Sequence, residues 1–307
     1  MNFLVFDVGG FAIKYAVMND KTDFIEKGKI PTPLDSLGSF LSAIEVVYNR
    51  FKDRITGIAL SLPGRIDSDH GYSYMGGSLK YNDCREIVSL LQVNCPLPIT
   101  IENDSKCAAL AEAWMGSLSD CRDGIVITLG TAVGGGIIIN RKLYKGPHFQ
   151  AGEFSHIIVD HDVNDDDDPL FWRCYGGAKG LSRMVAREKN LPFEKVTGRT
   201  VFEYASQGDV EVLQILDEYC RKLVIQLINL HLIFDPERIA IGGGISSQDI
   251  LFKYIYKNAD IYAKYIPDGF VRPEIVRCKF GNDSNLIGAL YCFLNRQGYL
   301  DHNNGIL

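Results

Sequence analysis

Glu102-Asn103-Asp104 stands between an apolar run at 98–101 and the alanine-rich stretch SKCAALAEAWMG. That pattern predicts a strand-to-helix junction, and three polar residues exceed what one helix cap uses. A carboxylate fixed there can accept the proton of a substrate hydroxyl as a general base. A plain N-cap by Asn103 or Asp104 also accounts for the pattern. A second cluster, Ala151-Gly152-Glu153-Phe154-Ser155-His156, brings a carboxylate and an imidazole behind small residues. Asp7 precedes Gly9 and Gly10, which suits a metal–phosphate held at a strand end, or simply a turn. GTAVGGG at 130–136 has four glycines in seven residues. A turn with that access to positive φ can lay successive N–H groups around an anion, most often phosphate.

The elements that position these groups read as alternating strands and helices. Strands are expected at 3–8, 12–18, 55–62, 98–101, 125–129, 137–139, 238–241 and 274–279, and helices at 36–51, 84–92, 178–189, 200–207, 209–233, 247–263 and 284–297. The helix behind Asp104 is rich in small residues and suited to close packing. Pro63-Gly64 ends one strand, so its backbone can approach a ligand. Gly242-Gly243-Gly244 ends another. Residues 65–83 read as an irregular loop and DHDVNDDDDP from 160 as a solvated acidic loop, its spacing unlike a calcium site. The strand–glycine-turn–strand theme occurs at 3–17 and 125–139. Two related α/β halves are therefore expected, with ligand in the cleft between them.

The chain has 307 residues, enough for two domains. Hydrophobic residues make up 46% and charged residues 23%, which is globular. A net charge of −6 argues against nucleic acid or anionic membrane as partner. No apolar run approaches a membrane span. The start, MNFLVFDVGG, lacks the positive region of a signal peptide, so a cytoplasmic location is expected. None of the eight cysteines forms a Cys-x-x-Cys pair, which fits reduced thiols.

Five stretches in this order and spacing resemble the ROK group (repressor, open reading frame, kinase) of sugar kinases: DVGG at 7–10, ENDSKCAALAE at 102–112, GTAVGGG at 130–136, AGEFSH at 151–156 and DPERIAIGGGIS at 235–246. The resemblance implies an α/β protein with the two-domain actin/hexokinase-like (ribonuclease H-like) ATPase fold and an active site in the interdomain cleft. It implies an N-terminal domain of residues 1–115 plus 286–307 and a C-terminal domain of 116–285. The implied activity is transfer of the γ-phosphoryl group of ATP, with Mg²⁺, to a hydroxyl, taken as the 6-OH, of a hexose or glycoside such as glucose, N-acetylmannosamine or a β-glucoside. By motif match Asp104 is the base. Asn103 holds neighbouring hydroxyls, Glu153 and His156 the anomeric side, and Gly64 joins the sugar contacts. Asp7, Gly9 and Gly10, with Lys14 nearby, form the first phosphate loop; Gly130, Thr131 and Gly134 belong to the second; Gly243 and Gly244 lie near the adenosine. A homodimer is implied, with 209–233 supplying a long apolar face.

Three departures from the family pattern stand out. Phe11 occupies a place usually held by threonine, which removes a hydroxyl donor. Ala132 replaces glycine, at a cost on the order of 1 kcal/mol if positive φ is required. Cys174, in RCYGGAKGL, is the one cysteine left of a three-cysteine zinc motif, so no structural zinc is expected. From the two loop changes follow an alternative, a sugar-binding protein with weak or no kinase activity, and an expectation that Phe11→Thr with Ala132→Gly strengthens nucleotide handling. A ROK repressor would need a helix-turn-helix, and only Met1 and Asn2 precede the first expected strand.

Overall fold

The computed structural model describes residues 1–159 and 171–300; the acidic run from 160 lies outside them. In chain order the elements are β1 (Asn2–Val8), β2 (Ala12–Asn19), β3 (Phe24–Pro31), α1 (Leu37–Phe51), β4 (Ile58–Leu62), β5 (Arg65–Asp67), β6 (Tyr72–Met75), α2 (Ile87–Gln92), β7 (Ile99–Asn103) and α3 (Asp104–Met115). They continue with β8 (Gly124–Leu129), β9 (Val133–Ile139), β10 (Lys142–Tyr144), α4 (Trp172–Tyr175), α5 (Gly177–Glu188), α6 (Gly198–Ser206), α7 (Val210–Phe234), β11 (Arg238–Gly242), α8 (Asp249–Ala263), β12 (Ile275–Arg277) and α9 (Ser284–Arg296).

The chain divides into two units. One holds residues 1–116, 141–151 and those from Asp283 on; the other holds 117–140 and 152–282. The sequence reading leaves 141–151 with the C-terminal domain, whereas here the segment groups with the first unit. Its side chains explain why: Lys145 Nζ donates to Ser68 Oγ at 2.6 Å and lies 3.5 Å from Glu102 Oε2.

In the first unit the sheet order is β3-β2-β1-β4-β7, antiparallel through β3, β2 and β1 and parallel through β1, β4 and β7. Strands β1, β4 and β7 are almost entirely buried, as expected of parallel strands covered on both faces. Helix α9 packs on α3 at Gly288, where an added Cβ would stand 1.8 Å from the Cys107 carbonyl oxygen. The alanines of α3 allow that approach.

The first unit holds strands that the sequence reading lacks. Strand β3 has no counterpart in it: its residues alternate half-buried and exposed, with Lys27 and Lys29 outward, so apolar density is low. The span 65–83, expected to be irregular, contains the β5–β6 hairpin, whose strands are too short for a visible period.

The second unit repeats the theme. β8 and β9 form an antiparallel hairpin, and β8, β11 and β12 run parallel, in the order β9-β8-β11-β12. The apolar face of α7 (Val212, Ile215, Leu216, Tyr219, Leu223, Leu227, Leu230) is buried inside this unit. It is therefore spent on the core and is no argument for a dimer.

The glycine-rich stretch also differs from expectation. Gly134, Gly135 and Gly136 lie within β9, opposite Thr128, Ile127 and Val126, so the turn is only residues 130–132. None of its four glycines is among the positive-φ residues. Space is the reason for Gly135: a Cβ there would stand 2.2 Å from the Val126 carbonyl oxygen and 2.5 Å from the Phe154 ring. Gly135→Ala is expected to destabilise the fold by about 1–3 kcal/mol through overpacking, read as a Tm several degrees below the parent. An unchanged Tm would mean that the hairpin and Phe154 are not packed this closely.

Candidate active site

Gly64, Asn103 and Asp104 are arranged by one side chain. Asn103 is the N-cap of α3: its Oδ1 accepts from the Lys106 N–H at 3.0 Å, and its Nδ2 donates to the Gly64 carbonyl at 2.8 Å. Asp104, the first helical residue, has no capping task. Its Oδ1 accepts from the Ser105 N–H at 2.7 Å, and the side chain is half-buried. It sits where the helix dipole favours a negative charge. Gly64 has φ of +100°, and a Cβ there would stand 1.9 Å from the Met75 carbonyl oxygen. Only glycine fits that bend. The expectation that Asn103 or Asp104 caps the helix thus resolves to Asn103.

At the end of β1, Asp7 faces Lys14 across the β1–β2 pair. Lys14 Nζ donates to Asp7 Oδ2 at 3.1 Å, and Asn285 Nδ2 donates to Oδ1 at 2.9 Å. Asp7 is nearly buried, whereas Lys14 is about half exposed at 47%. The turn that follows is tied down by Thr32, whose hydroxyl donates to the Gly9 carbonyl at 2.6 Å and whose N–H donates to the Phe11 carbonyl at 3.2 Å. Phe11 is 89% exposed, so its ring fills no core. Neither Asn285 nor Thr32 was legible in the sequence: each is distant from the loop it holds, and only the fold brings it there.

In the second unit the segment 151–156 is seated on the glycine hairpin. Gly152 has φ of +82°, and a Cβ there would stand 3.0 Å from the Gly135 carbonyl oxygen. Phe154 is buried against Gly135 and Trp172. Ser155 Oγ donates to the Val133 carbonyl. These contacts leave Glu153 half-buried and His156 exposed, its ring edge-on to Phe171 at 6.2 Å. The turn at Gly130 and Thr131 is held from behind, since their carbonyls accept from the N–H groups of Ala178 (2.8 Å) and Lys179 (3.2 Å). Two donors of the first turn of α5 are thereby satisfied. Gly243, with φ of +90°, backs onto Leu129, and Gly244 faces open space.

The structure therefore groups Asp7, Gly9, Gly10, Lys14, Gly64, Asn103 and Asp104 in the first unit. Gly130, Thr131, Gly134, Glu153, His156, Gly243 and Gly244 belong to the second. The thiols beside the first group are packing groups. Burial pushes Cys107 well above the ordinary thiol range, and burial pushes Cys292 up likewise, so both stay protonated and inert at neutral pH.

A sequence profile of the ROK family matches residues 4–296. The chain belongs to the ROK family. Within it, a beta-glucoside kinase of Klebsiella pneumoniae is 30% identical, over 95% of this chain and 96% of that protein. A glucokinase of Halalkalibacterium halodurans is 29% identical, over 97% and 96%. The solved structure of the Lmo2764 protein from Listeria monocytogenes superposes with a TM-score of 0.87 at 29% identity, covering 97% of this chain and 100% of that one. The two-domain actin/hexokinase-like α/β fold of ROK sugar kinases is the fold of this chain.

Two of the departures from the ROK pattern take on a physical meaning. Ala132 is not among the described residues with positive φ, so the suspected strain is absent. The residue that bends is Gly177, with φ of +66°, where a Cβ would stand 2.5 Å from the Ala132 carbonyl oxygen. At the places of two family cysteines, Gly176 lies where a Cβ would meet Val133 at 2.1 Å, and Leu181 is fully buried. Both positions serve packing.

The expectation that Ala132→Gly relaxes the loop is thus corrected. The substitution is expected to leave ATP affinity unchanged and to lower stability by about 0.5–1 kcal/mol through added backbone entropy. Calorimetric titration with ATP and a thermal melt check it; tighter ATP binding would show that the alanine does strain the loop. Elemental analysis of untagged protein is expected to find no stoichiometric zinc.

Proposed function

We propose that this chain is an ATP-dependent sugar kinase, transferring the terminal phosphoryl group of ATP to the 6-hydroxyl of a hexose or glycoside. The observation that carries the assignment is the division of labour at the head of α3. Asn103 caps the helix, so the acidic residue beside it is not needed as the cap. Asp104 accepts the proton of the attacking hydroxyl. Asn103 orients neighbouring hydroxyls, and the Gly64 backbone borders the same sugar. Glu153 and His156 bind at the anomeric side. The names of the relatives, a beta-glucoside kinase and a glucokinase, support a sugar as acceptor.

Phosphoryl transfer asks for in-line positioning and neutralised charge more than covalent chemistry. Asp7 and Lys14, beside Gly9 and Gly10, form one phosphate loop, the Gly130–Thr131 turn with Gly134 forms the second, and Gly243 and Gly244 serve the adenosine. The donor chemistry at Asp7 fits Mg²⁺: Oδ1 accepts from Asn285 and Ser61, while Oδ2 keeps a lone pair beyond its hydrogen bond to Lys14, and Mg²⁺ takes one or two carboxylates together with phosphate oxygens. When bound, the ion neutralises charge on the phosphates. A non-catalytic sugar-binding protein loses part of its motivation, because Ala132 is unstrained. A cytoplasmic homodimer without nucleic-acid or membrane partners completes the reading; among the described residues no helix is long and apolar enough to cross a membrane.

Asp104→Asn tests the assignment. It keeps size and hydrogen bonding but removes the proton acceptor, so kcat should fall ~10²- to 10⁴-fold, with sugar affinity and melting temperature near the parent's. A folded variant with parental kcat would sink the role of Asp104 as base.

A further inference from the structure

Glu102 stands in β7 directly before Asn103 and Asp104 and has no part of its own in the proposed reaction. In register it pairs with Ser61 of β4, which in turn pairs with Asp7 of β1. The three make a polar row across the parallel strands, near their carboxyl ends, where open α/β sheets bind ligands. Ser61 Oγ donates to Asp7 Oδ1 at 3.4 Å. All three residues are buried. One end of the row is Asp7 in the first loop, and the other is Glu102 at the head of α3.

A buried carboxylate is costly unless hydrogen bonds and an opposite charge meet it. Glu102 has both. Its Oε1 accepts from the Asn103 N–H at 2.8 Å, and its Oε2 lies 3.5 Å from Lys145 Nζ. The Glu102 side chain is 1% exposed and that of Lys145 21%. Lys145 is held in turn: its Nζ donates to Ser68 Oγ at 2.6 Å and lies 3.9 Å from Asp69 Oδ1. Ser68 is fixed from α9, since its carbonyl accepts from Arg296 Nη1. The backbone of Asn103 is thus gripped by Glu102, while its side chain caps α3 and grips Gly64. An ion pair that served burial alone would have no reason to hold the N–H of the cap residue.

We infer that Lys145, acting through Glu102, is a positioning residue for the sugar hydroxyls: the pair sets the backbone at Asn103 and with it the aim of Asn103 and Asp104. The inference rests on the proposed sugar roles of those two residues. Removing the ammonium leaves the Glu102 charge buried without its counter-charge. The carboxylate then turns toward other donors and loosens its hold on the Asn103 N–H. A displacement of about 1 Å in groups that align a reacting hydroxyl can cost on the order of 100-fold in rate. The residues proposed for ATP lie elsewhere, so nucleotide affinity should not follow.

The test measures calorimetric affinity for glucose, N-acetylmannosamine and cellobiose, and separately for ATP, together with kcat and melting temperature. The proteins are the parent, Lys145→Met, Glu102→Gln and the double variant. Lys145→Met should weaken the sugar that the parent binds best by about tenfold, lower kcat on the order of ten- to hundredfold and leave ATP affinity within about twofold. Glu102→Gln keeps an oxygen for the Asn103 N–H and should stay close to the parent. The double variant buries no unpaired charge and should recover most of the loss. Should Lys145→Met not fold, Glu102→Ala decides in its place: it removes that oxygen while Lys145 keeps Ser68, and should show the same selective loss of sugar affinity. If neither folds, the pair is structural and the positioning role falls. Parental sugar affinity and kcat, equal weakening of sugar and ATP, or a double variant no better than Lys145→Met would overturn the positioning role and leave the kinase reading intact. The expected pattern of sugar affinities without turnover of any sugar would overturn the kinase reading and leave the positioning role standing. A parent that binds none of the three sugars would overturn both.

Discussion

The carboxamide of Asn103 is the contact on which the first unit's site depends. It satisfies a donor of α3 with its oxygen and grips the Gly64 carbonyl with its nitrogen, while 4% exposed. A buried amide so used cannot be replaced by a charge or an alkyl group without leaving a backbone group unpaired. Its position makes Asn103 the cap, while Asp104 at N1 gains from the helix dipole.

The second unit is organised by close approach. Gly135 lets Phe154 lie on β9, and Gly152 lets the chain cross the same hairpin. Each glycine is needed for the volume a methyl group would take, and at Gly152 for its backbone angle as well. Glu153 and His156 are presented by their neighbours, the buried ring of Phe154 and a serine hydroxyl on Val133. The Gly130–Thr131 turn is fixed in a comparable way, by two N–H groups of α5 on its carbonyls. Gly176 and Leu181 are packed against the hairpin and within the unit.

Much of the outline was legible in the residues alone. The apolar periods marked most strands and helices, the order of five motifs marked the family, and the strand–turn–strand theme marked two related units. Where the reading failed, the cause was physical. β3 escaped because an edge strand with outward lysines has little apolar signal. The β5–β6 hairpin escaped because three- and four-residue strands show no period. The glycines 134–136 were taken for a turn because composition does not distinguish a glycine needed for φ from one needed for room.

The sequence by itself determined which residues are chemically able to act: the carboxylates Asp7, Asp104 and Glu153, the imidazole of His156 and the glycine turns, because residue type and local spacing suffice for that. Only the tertiary structure decided how they are held. It chose Asn103 over Asp104 as the cap, brought Asn285 to Asp7 and Thr32 to Gly9, buried the α7 face inside its own unit, and set Lys106 under Phe149. Those choices depend on volumes and hydrogen-bond partners far apart in the chain, which no local pattern encodes.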